Sequence, residues 1–359
     1  MAQIDGLLKS MIDVGASDLH LTSGAYPLFR IHGELEKVNS VGAHNGAPLQ
    51  PDQMKTLLYE ILTDEQIQEF EKTKDIDFAY ESPGVGRFRT NVFEQLKGMG
   101  AVFRRIPGQI LSLEELGLPK SIGKFTRLNR GLVLVTGPTG SGKSTTLASL
   151  IDLINRERKV HIITVEDPVE FVHVNKSSLI NQRQIGANTL SFSSALRAAL
   201  REDPDVILVG EMRDLETISL AITAAETGHL VFGTLHTNSA SKTIDRIIDA
   251  FPSGQQAQIR TQLSESLQGV ISQQLLKRAD GKGRVAAVEI LTGTPALANL
   301  IREGKTYQIP SIIQTGRREG MQTMDQAIID LLKQGRITTE EAFDKCVDRE
   351  TFQKYLGRV

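Results

Sequence analysis

The chain has 359 residues, enough for two or three domains of ordinary size, with 40% hydrophobic and 23% charged residues, as in a soluble globular protein. Its formal net charge of −2 gives no overall basic field, which argues against a dedicated nucleic-acid binder while leaving room for a local basic channel. No run approaches 18 consecutive apolar residues, the start (Met-Ala-Gln-Ile-Asp) lacks a basic region followed by an apolar one, and Cys346 is the single cysteine; a membrane-spanning helix, a signal peptide, an internal disulfide and a cysteine-based zinc site are therefore not expected, and the cytoplasm is.

Ile4, Leu7, Leu8 and Met11 recur at helical spacing, so residues 4–14 are expected to form an amphipathic helix. Residues 18–22 and 28–31 alternate as strands, with a turn at His32-Gly33, and 41–50 reads as a loop. Helices are expected over 51–60 and 64–72. Strands at 75–80, 87–95 and 100–106, turned by Ser82-Pro83-Gly84 and Lys97-Gly98, make a three-stranded meander. Residues 1–106 thus read as a small α+β domain. Arg87 and Arg89 share one face of the middle strand, and Arg104 and Arg105 lie on its neighbour. Unpaired arginines there suit phosphate contact, in this chain or in a neighbouring subunit; each alone also reads as a solvated surface charge.

Pro107-Gly108 opens a linker, 107–121, with a short helix. From 122 the texture changes to apolar runs at 132–135, 161–165, 206–209, 230–234 and 285–291, alternating with helices. This is the pattern of a buried parallel sheet in an α/β domain, 122–294. The remainder, 295–359, reads as helical: 295–303, 309–315, 324–334 and 339–346.

Directly after the first of these strands come Gly137, Pro138, Thr139, Gly140, Ser141, Gly142, Lys143, Ser144 and Thr145. This is G-x-x-x-x-G-K-[ST], a P-loop, with strand before it and helix expected after it. Its glycines let successive backbone N–H groups turn inward around a phosphate, and the helix aims its positive end at the same anion. Lys143 can reach the β- and γ-phosphates of a nucleoside triphosphate, and the Ser144 hydroxyl can bind Mg²⁺. A P-loop on this strand suggests a RecA-like core.

Glu166 ends the next strand, where α/β sheets place ligands; it reads as a base for the attacking water or as a plain surface charge. Glu211 ends a third strand, Val206-Ile207-Leu208-Val209-Gly210-Glu211, which resembles a Walker B strand with glycine in the place of the usual Mg²⁺-binding aspartate. Glu211 would then act on Mg²⁺ through water, or on the attacking water itself. His229 and His236 bracket a fourth strand, which is expected to end before His236. His236 fits a γ-phosphate sensor, whereas His229 fits a hydrogen-bonded core histidine equally well. Arg201 reads as a helix-end charge or an interface charge.

Taken in order, the P-loop, the acidic segment 163–170, the Walker-B-like segment 205–211, the histidine segment 227–237, Ala16-Ser17-Asp18-Leu19-His20-Leu21 and the tail segments 299–305 and 320–326 resemble the secretion-type AAA-like ATPases, and among them the type IV pilus retraction motors. The resemblance spans nearly the whole chain. It implies a PAS-like N-terminal domain, a RecA-like ATPase core and a homohexameric ring that hydrolyses ATP with Mg²⁺. It implies Glu166 as catalytic base, Glu211 as the Walker B glutamate, and nucleotide contacts from the histidine segment, which holds His229 and His236 here. It also implies arginines reaching the nucleotide from the N-terminal domain, which here would be Arg89 and Arg104, with Arg87 as a further candidate. The implied partner is a pilus platform protein of the inner membrane, engaged from the cytoplasmic face, with no nucleic acid. The family's tail usually carries an arginine where this chain has Ala298; Arg302 is kept, and ATPase activity should be spared. The extension motors of the same superfamily typically add an N-terminal domain and a four-cysteine zinc motif, and neither is expected here. The competing readings are a nucleic-acid translocase on a RecA scaffold and a non-catalytic partner ATPase.

Overall fold

In the computed structural model, the described residues are 2–31, 33–38, 47–106 and 108–356. His32 of the expected turn, residues 41–46 of the expected loop, Pro107 of the expected linker and residues 357–359 of the expected helical tail lie outside them. The chain divides into two compact units, Met1–Gln109 and Ile110–Val359.

The first unit holds α1 (Asp5–Asp13), β1 (Asp18–Thr22), β2 (Leu28–Ile31), β3 (Glu34–Lys37), α2 (Pro51–Tyr59), α3 (Asp64–Thr73), β4 (Asp75–Ser82), β5 (Gly86–Gln95) and β6 (Gly98–Ile106). All strand pairs are antiparallel, in the order β3-β2-β1-β6-β5-β4. The expected meander is therefore half of a six-stranded sheet that continues through β1. Alternation along β5 sends Phe88, Thr90 and Val92 inward and leaves Arg87, Arg89 and Asn91 on the other face. Leu8 and Met11 of α1, Met54 and Leu58 of α2 and Phe70 of α3 bury against Leu19, Phe88 and Phe103. β3 escaped the sequence reading because its four residues, Glu-Leu-Glu-Lys, are all exposed and carry no burial pattern.

The second unit opens with a 3-10 helix, Lys120–Arg127. Then come β7 (Gly131–Thr136), α4 (Lys143–Glu157), β8 (His161–Glu166), β9 (Leu179–Gln184), α5 (Phe192–Ala199), β10 (Val206–Val209), α6 (Leu215–Glu226), β11 (Leu230–Leu235), α7 (Ala240–Asp249), α8 (Ser253–Ser266), β12 (Leu267–Lys277) and β13 (Arg284–Thr292). Helices α9 (Pro295–Arg302), α10 (Ile309–Thr315), α11 (Met324–Lys333), α12 (Thr339–Lys345) and α13 (Arg349–Leu356) complete it. The sheet order is β13-β12-β7-β11-β10-β8-β9. Both faces are covered, which is why its strands read as continuous apolar runs. Leu132 and Leu134 of β7 face α6 to α10, while Val133 and Val135 face α4 and the 3-10 helix. The fold is α/β, with a RecA-like core and a smaller α+β unit.

Two features differ from expectation. The run at 285–291 is not a parallel strand: β13 pairs antiparallel with β12, because the short connection between them permits a hairpin and no crossover. β9 is a polar edge strand, Leu-Ile-Asn-Gln-Arg-Gln, with no apolar run to reveal it. Helix α9 carries Ala298 as expected, half-buried beside a cavity of about 240 Å³ that Glu265 and Gln268 also line.

Candidate functional site

The P-loop leaves the carboxyl end of β7, a central strand, at the end of the sheet where open α/β folds bind ligands. Gly137, Gly140 and Gly142 hold φ of +145°, +77° and +88°, which side chains rarely adopt. Space forbids side chains as well: a Cβ on Gly137 would lie 2.2 Å from the Gln273 carbonyl oxygen, and one on Gly142 2.8 Å from Gln273 Nε2. Pro138, Thr139 and Gly140 form the exposed tip of the loop. Helix α4 starts at Lys143, so Lys143, Ser144 and Thr145 form its first turn, where N–H groups lack helical partners.

Lys143 Nζ donates to Gly137 O at 2.8 Å and Pro138 O at 3.2 Å, which holds the ammonium inside the loop. Burial lowers its pKa from the ordinary lysine value, against the opposing charges of Glu211 and Glu170. Ser141 Oγ is buried and has no hydrogen-bond partner among the described residues. A loop whose glycines take backbone angles that side chains rarely adopt, an inward ammonium and an orphaned hydroxyl fit a polyphosphate.

Three acidic groups stand around this loop. Glu166 ends β8 beside β10, where Gly210 N donates to Val165 O at 2.7 Å. The Glu166 carboxylate accepts from Thr164 Oγ1 at 2.7 Å and from Gln182 Nε2 at 3.2 Å. Burial nevertheless raises its pKa above the usual carboxylate range, with Glu170 adding a like charge. Glu211 behaves oppositely. Desolvation would raise it, but the hydrogen bond and charge of Arg213, joined by His236, hold it below the ordinary range. Arg213 Nε lies 2.5 Å and His236 Nε2 3.0 Å from Glu211 Oε1. The glycine at the Walker B position has a steric cause: a Cβ on Gly210 would come within 3.0 Å of Val165 O and 3.1 Å of Glu166 Cα.

His236 follows the last residue of β11 and so joins the site through Glu211. His229 precedes the same strand, and the register pairs Leu230 with Gly131 and Leu235 with Thr136. It therefore sits at the far end of the sheet from the P-loop, about 23 Å away along β11 at 3.3 Å per residue over seven residues. There its Nδ1 lies 3.0 Å from Ala224 O and its carbonyl accepts from Gly131 N. Within one chain, the structure brings His229 to the start of β11, half-buried and away from the P-loop. Arg201 is an exposed residue just past α5.

The arginines of the first unit form a row across its sheet. Arg89 and Arg104 are direct cross-strand partners, and Arg104 in turn faces Asp18. The arginines expected to be unpaired are not: Arg89 Nη2 meets Asp77 Oδ2 at 2.6 Å, and Arg104 Nε meets Asp18 Oδ1 at 2.8 Å. The Arg89–Asp77 pair is half-exposed and such a pair is worth ~0–1 kcal/mol, whereas Arg104 reaches from the surface to a buried Asp18. Arg87 lies on the same face of β5, opposite Ile106.

Three residues that no motif points to also stand at the site: Arg213 and Gln182 on the two glutamates, and Gln273 on the loop. Gln182 and Gln273 lie on β9 and β12, strands that were not anticipated. Arg213 had one signal, its place two residues after Glu211. No group of three or more His, Cys, Asp or Glu suited to a metal ion occurs among the described residues, so a metal here would depend on phosphate oxygens for part of its shell. No helix among the described residues is long and apolar enough to cross a membrane.

The type II/IV secretion system protein family matches residues 1–344. The type IV pilus retraction ATPase PilT of Pseudomonas aeruginosa is 54% identical over 97% of this chain and 99% of its own length. A twitching motility protein of Neisseria gonorrhoeae is 52% identical over 93% and 90%. The crystal structure of the pilus retraction motor PilT with bound ADP superposes with a TM-score of 0.89 at 48% identity, covering 99% of this chain and all of that one.

Proposed function

The chain belongs to the type II/IV secretion system protein family, and we propose that it is the ATPase that powers retraction of a type IV pilus. The observation that carries this is end-to-end likeness to a retraction ATPase by a chain whose P-loop, Glu166 and Glu211 are all intact. That likeness does not favour a nucleic-acid translocase or an inactive partner subunit.

ATP binds with its phosphates in the 137–145 loop. Lys143 contacts the β- and γ-phosphates, and the N–H groups of the first turn of α4 supply the remaining donors. Ser144 and Glu211 would hold Mg²⁺, which would neutralise charge on the phosphate oxygens. Glu166 takes a proton from the attacking water, and its raised pKa makes it a stronger base than an ordinary carboxylate. His236 orients Glu211 and senses the γ-phosphate from the end of β11. Arg89 and Arg104, with Arg87 beside them, reach the phosphates of the next subunit in a homohexamer and stabilise charge that develops during transfer.

In this reading the PAS-like domain, 1–106, moves against a neighbouring core, 122–294, on the linker 107–121, and the helical part, 295–359, transmits the motion. The ring works at the cytoplasmic face of the inner membrane on a platform protein that releases pilins. Purified protein is expected to form hexamers and to hydrolyse ATP only with a divalent cation. Folded hexamers without Mg²⁺-dependent hydrolysis would rule out the motor.

A further inference from the structure

The phosphate loop is gripped from behind by one residue outside every motif. Gln273 of β12 is 4% exposed. Its Nε2 donates to Ser141 O at 2.7 Å, and its Oε1 accepts from Thr146 Oγ1 at 2.7 Å. These partners bracket the four residues 142–145, which include Lys143 and Ser144. Its backbone carbonyl packs on Gly137 so closely that a Cβ there would be 2.2 Å away. A single residue thus touches the beginning of the loop, its end and the first turns of α4.

β12 is held on its other side too. Successive strand residues point to opposite faces, and Gln274 Nε2 donates to Lys345 O of α12 at 3.1 Å. Lys277 N donates to Glu341 Oε1 at 2.9 Å. Ser272 Oγ lies 2.7 Å from Thr136 Oγ1, in the residue just before the loop. Gln273 is therefore carried by a strand fixed at several points, as a group that sets another group's position must be.

We propose that Gln273 is a positioning residue for the nucleotide: its two side-chain hydrogen bonds keep the phosphate loop in the shape that binds. The inference rests on the reading of 137–145 as a nucleotide site. A loop that holds its binding shape for only a fraction of the time binds more weakly by that fraction. Loss of a buried hydrogen bond that leaves Ser141 O or Thr146 Oγ1 without its partner is enough to lower that fraction about tenfold.

The test is a titration of full-length protein with a fluorescent ADP analogue and Mg²⁺, alongside steady-state ATP hydrolysis. The variants are Gln273→Leu, Thr146→Val and the two combined. Gln273→Leu is expected to raise Kd and KM about tenfold with a smaller change in kcat, because Glu166, Glu211 and Lys143 are untouched. Thr146→Val is expected to raise Kd less, and the double variant to be no weaker than Gln273→Leu alone, since both remove one shared bond. Gln273→Glu keeps the volume and the acceptor for Thr146 but loses the donor to Ser141 O, and is expected to weaken binding if Gln273→Leu fails to fold. A folded Gln273→Glu or Gln273→Leu protein with wild-type Kd overturns the inference, as do multiplicative effects in the double variant. Failure of the wild type to bind the analogue would instead overturn the nucleotide site itself.

Discussion

At Glu166, burial and hydrogen bonding act in opposite directions, and burial wins. A water-activating base works when deprotonated, so turnover should rise with pH through a pKa above the usual carboxylate range and be lost as pH falls. Glu166→Gln should lower kcat by about 10²- to 10⁴-fold, remove that acid limb from the pH–rate profile and leave nucleotide affinity near wild type. A profile unchanged in the variant would take the base role from Glu166. Lys143, Ser144, Glu166 and Glu211 were legible in the sequence because each lies at a fixed offset from a strand end or a glycine pattern. Gln273, Gln182 and Arg213 were not, because what they touch is decided by which strands lie side by side. His229 lies apart from His236 for the same reason: seven residues separate the two, and a strand turns that spacing into opposite ends of the sheet.

Among elements, the junction of β8 and β10 is the tightest part of the site. The close approach of Gly210 to Val165 O and Glu166 Cα explains why this Walker-B-like strand ends in Gly-Glu. Gly210→Asp, which restores the usual aspartate, should therefore lower ATP turnover by tenfold or so rather than raise it, as side-chain bulk shifts the Glu166 backbone. Steady-state rates of the folded variant would check this. The segment after β8 supplies a second prediction. Burial lowers the His173 pKa to about 4, and no partner for Nδ1 occurs among the described residues. A pKa lower in the folded than in the unfolded state gives stability that is present above about 6.5 and lost as pH falls towards 4. Urea unfolding should show the protein about 2 kcal/mol less stable at pH 5 than at pH 7 from this group, and His173→Asn should remove that difference. Five apolar strands of the second unit were legible because both faces of its sheet are buried. β12 was not, since Gln268, Ser272, Gln273 and Gln274 break its apolar run, and neither were β3 and β9, since edge strands with polar residues carry no periodic signal.

For the molecule as a motor, the site must be completed across a subunit boundary. In the proposed motor each core supplies its own Glu166, and Arg89 and Arg104 come from a neighbour. Arg89→Ala and Arg104→Ala should each lower turnover by as much as about 10³-fold without loss of the hexamer. Mixing inactive Arg89→Ala protein with inactive Glu166→Gln protein should restore hydrolysis, because mixed rings pair an intact base with an intact arginine. If the mixture stays inactive while subunits exchange, the arginines act within one chain. The work attributed to this hydrolysis is pilus retraction, and it is measured on single pili. Cells that carry Glu166→Gln in place of the wild-type chain should extend pili that pull no load, whereas the wild-type chain retracts them. Retraction at the wild-type speed and force with Glu166→Gln would contradict the account.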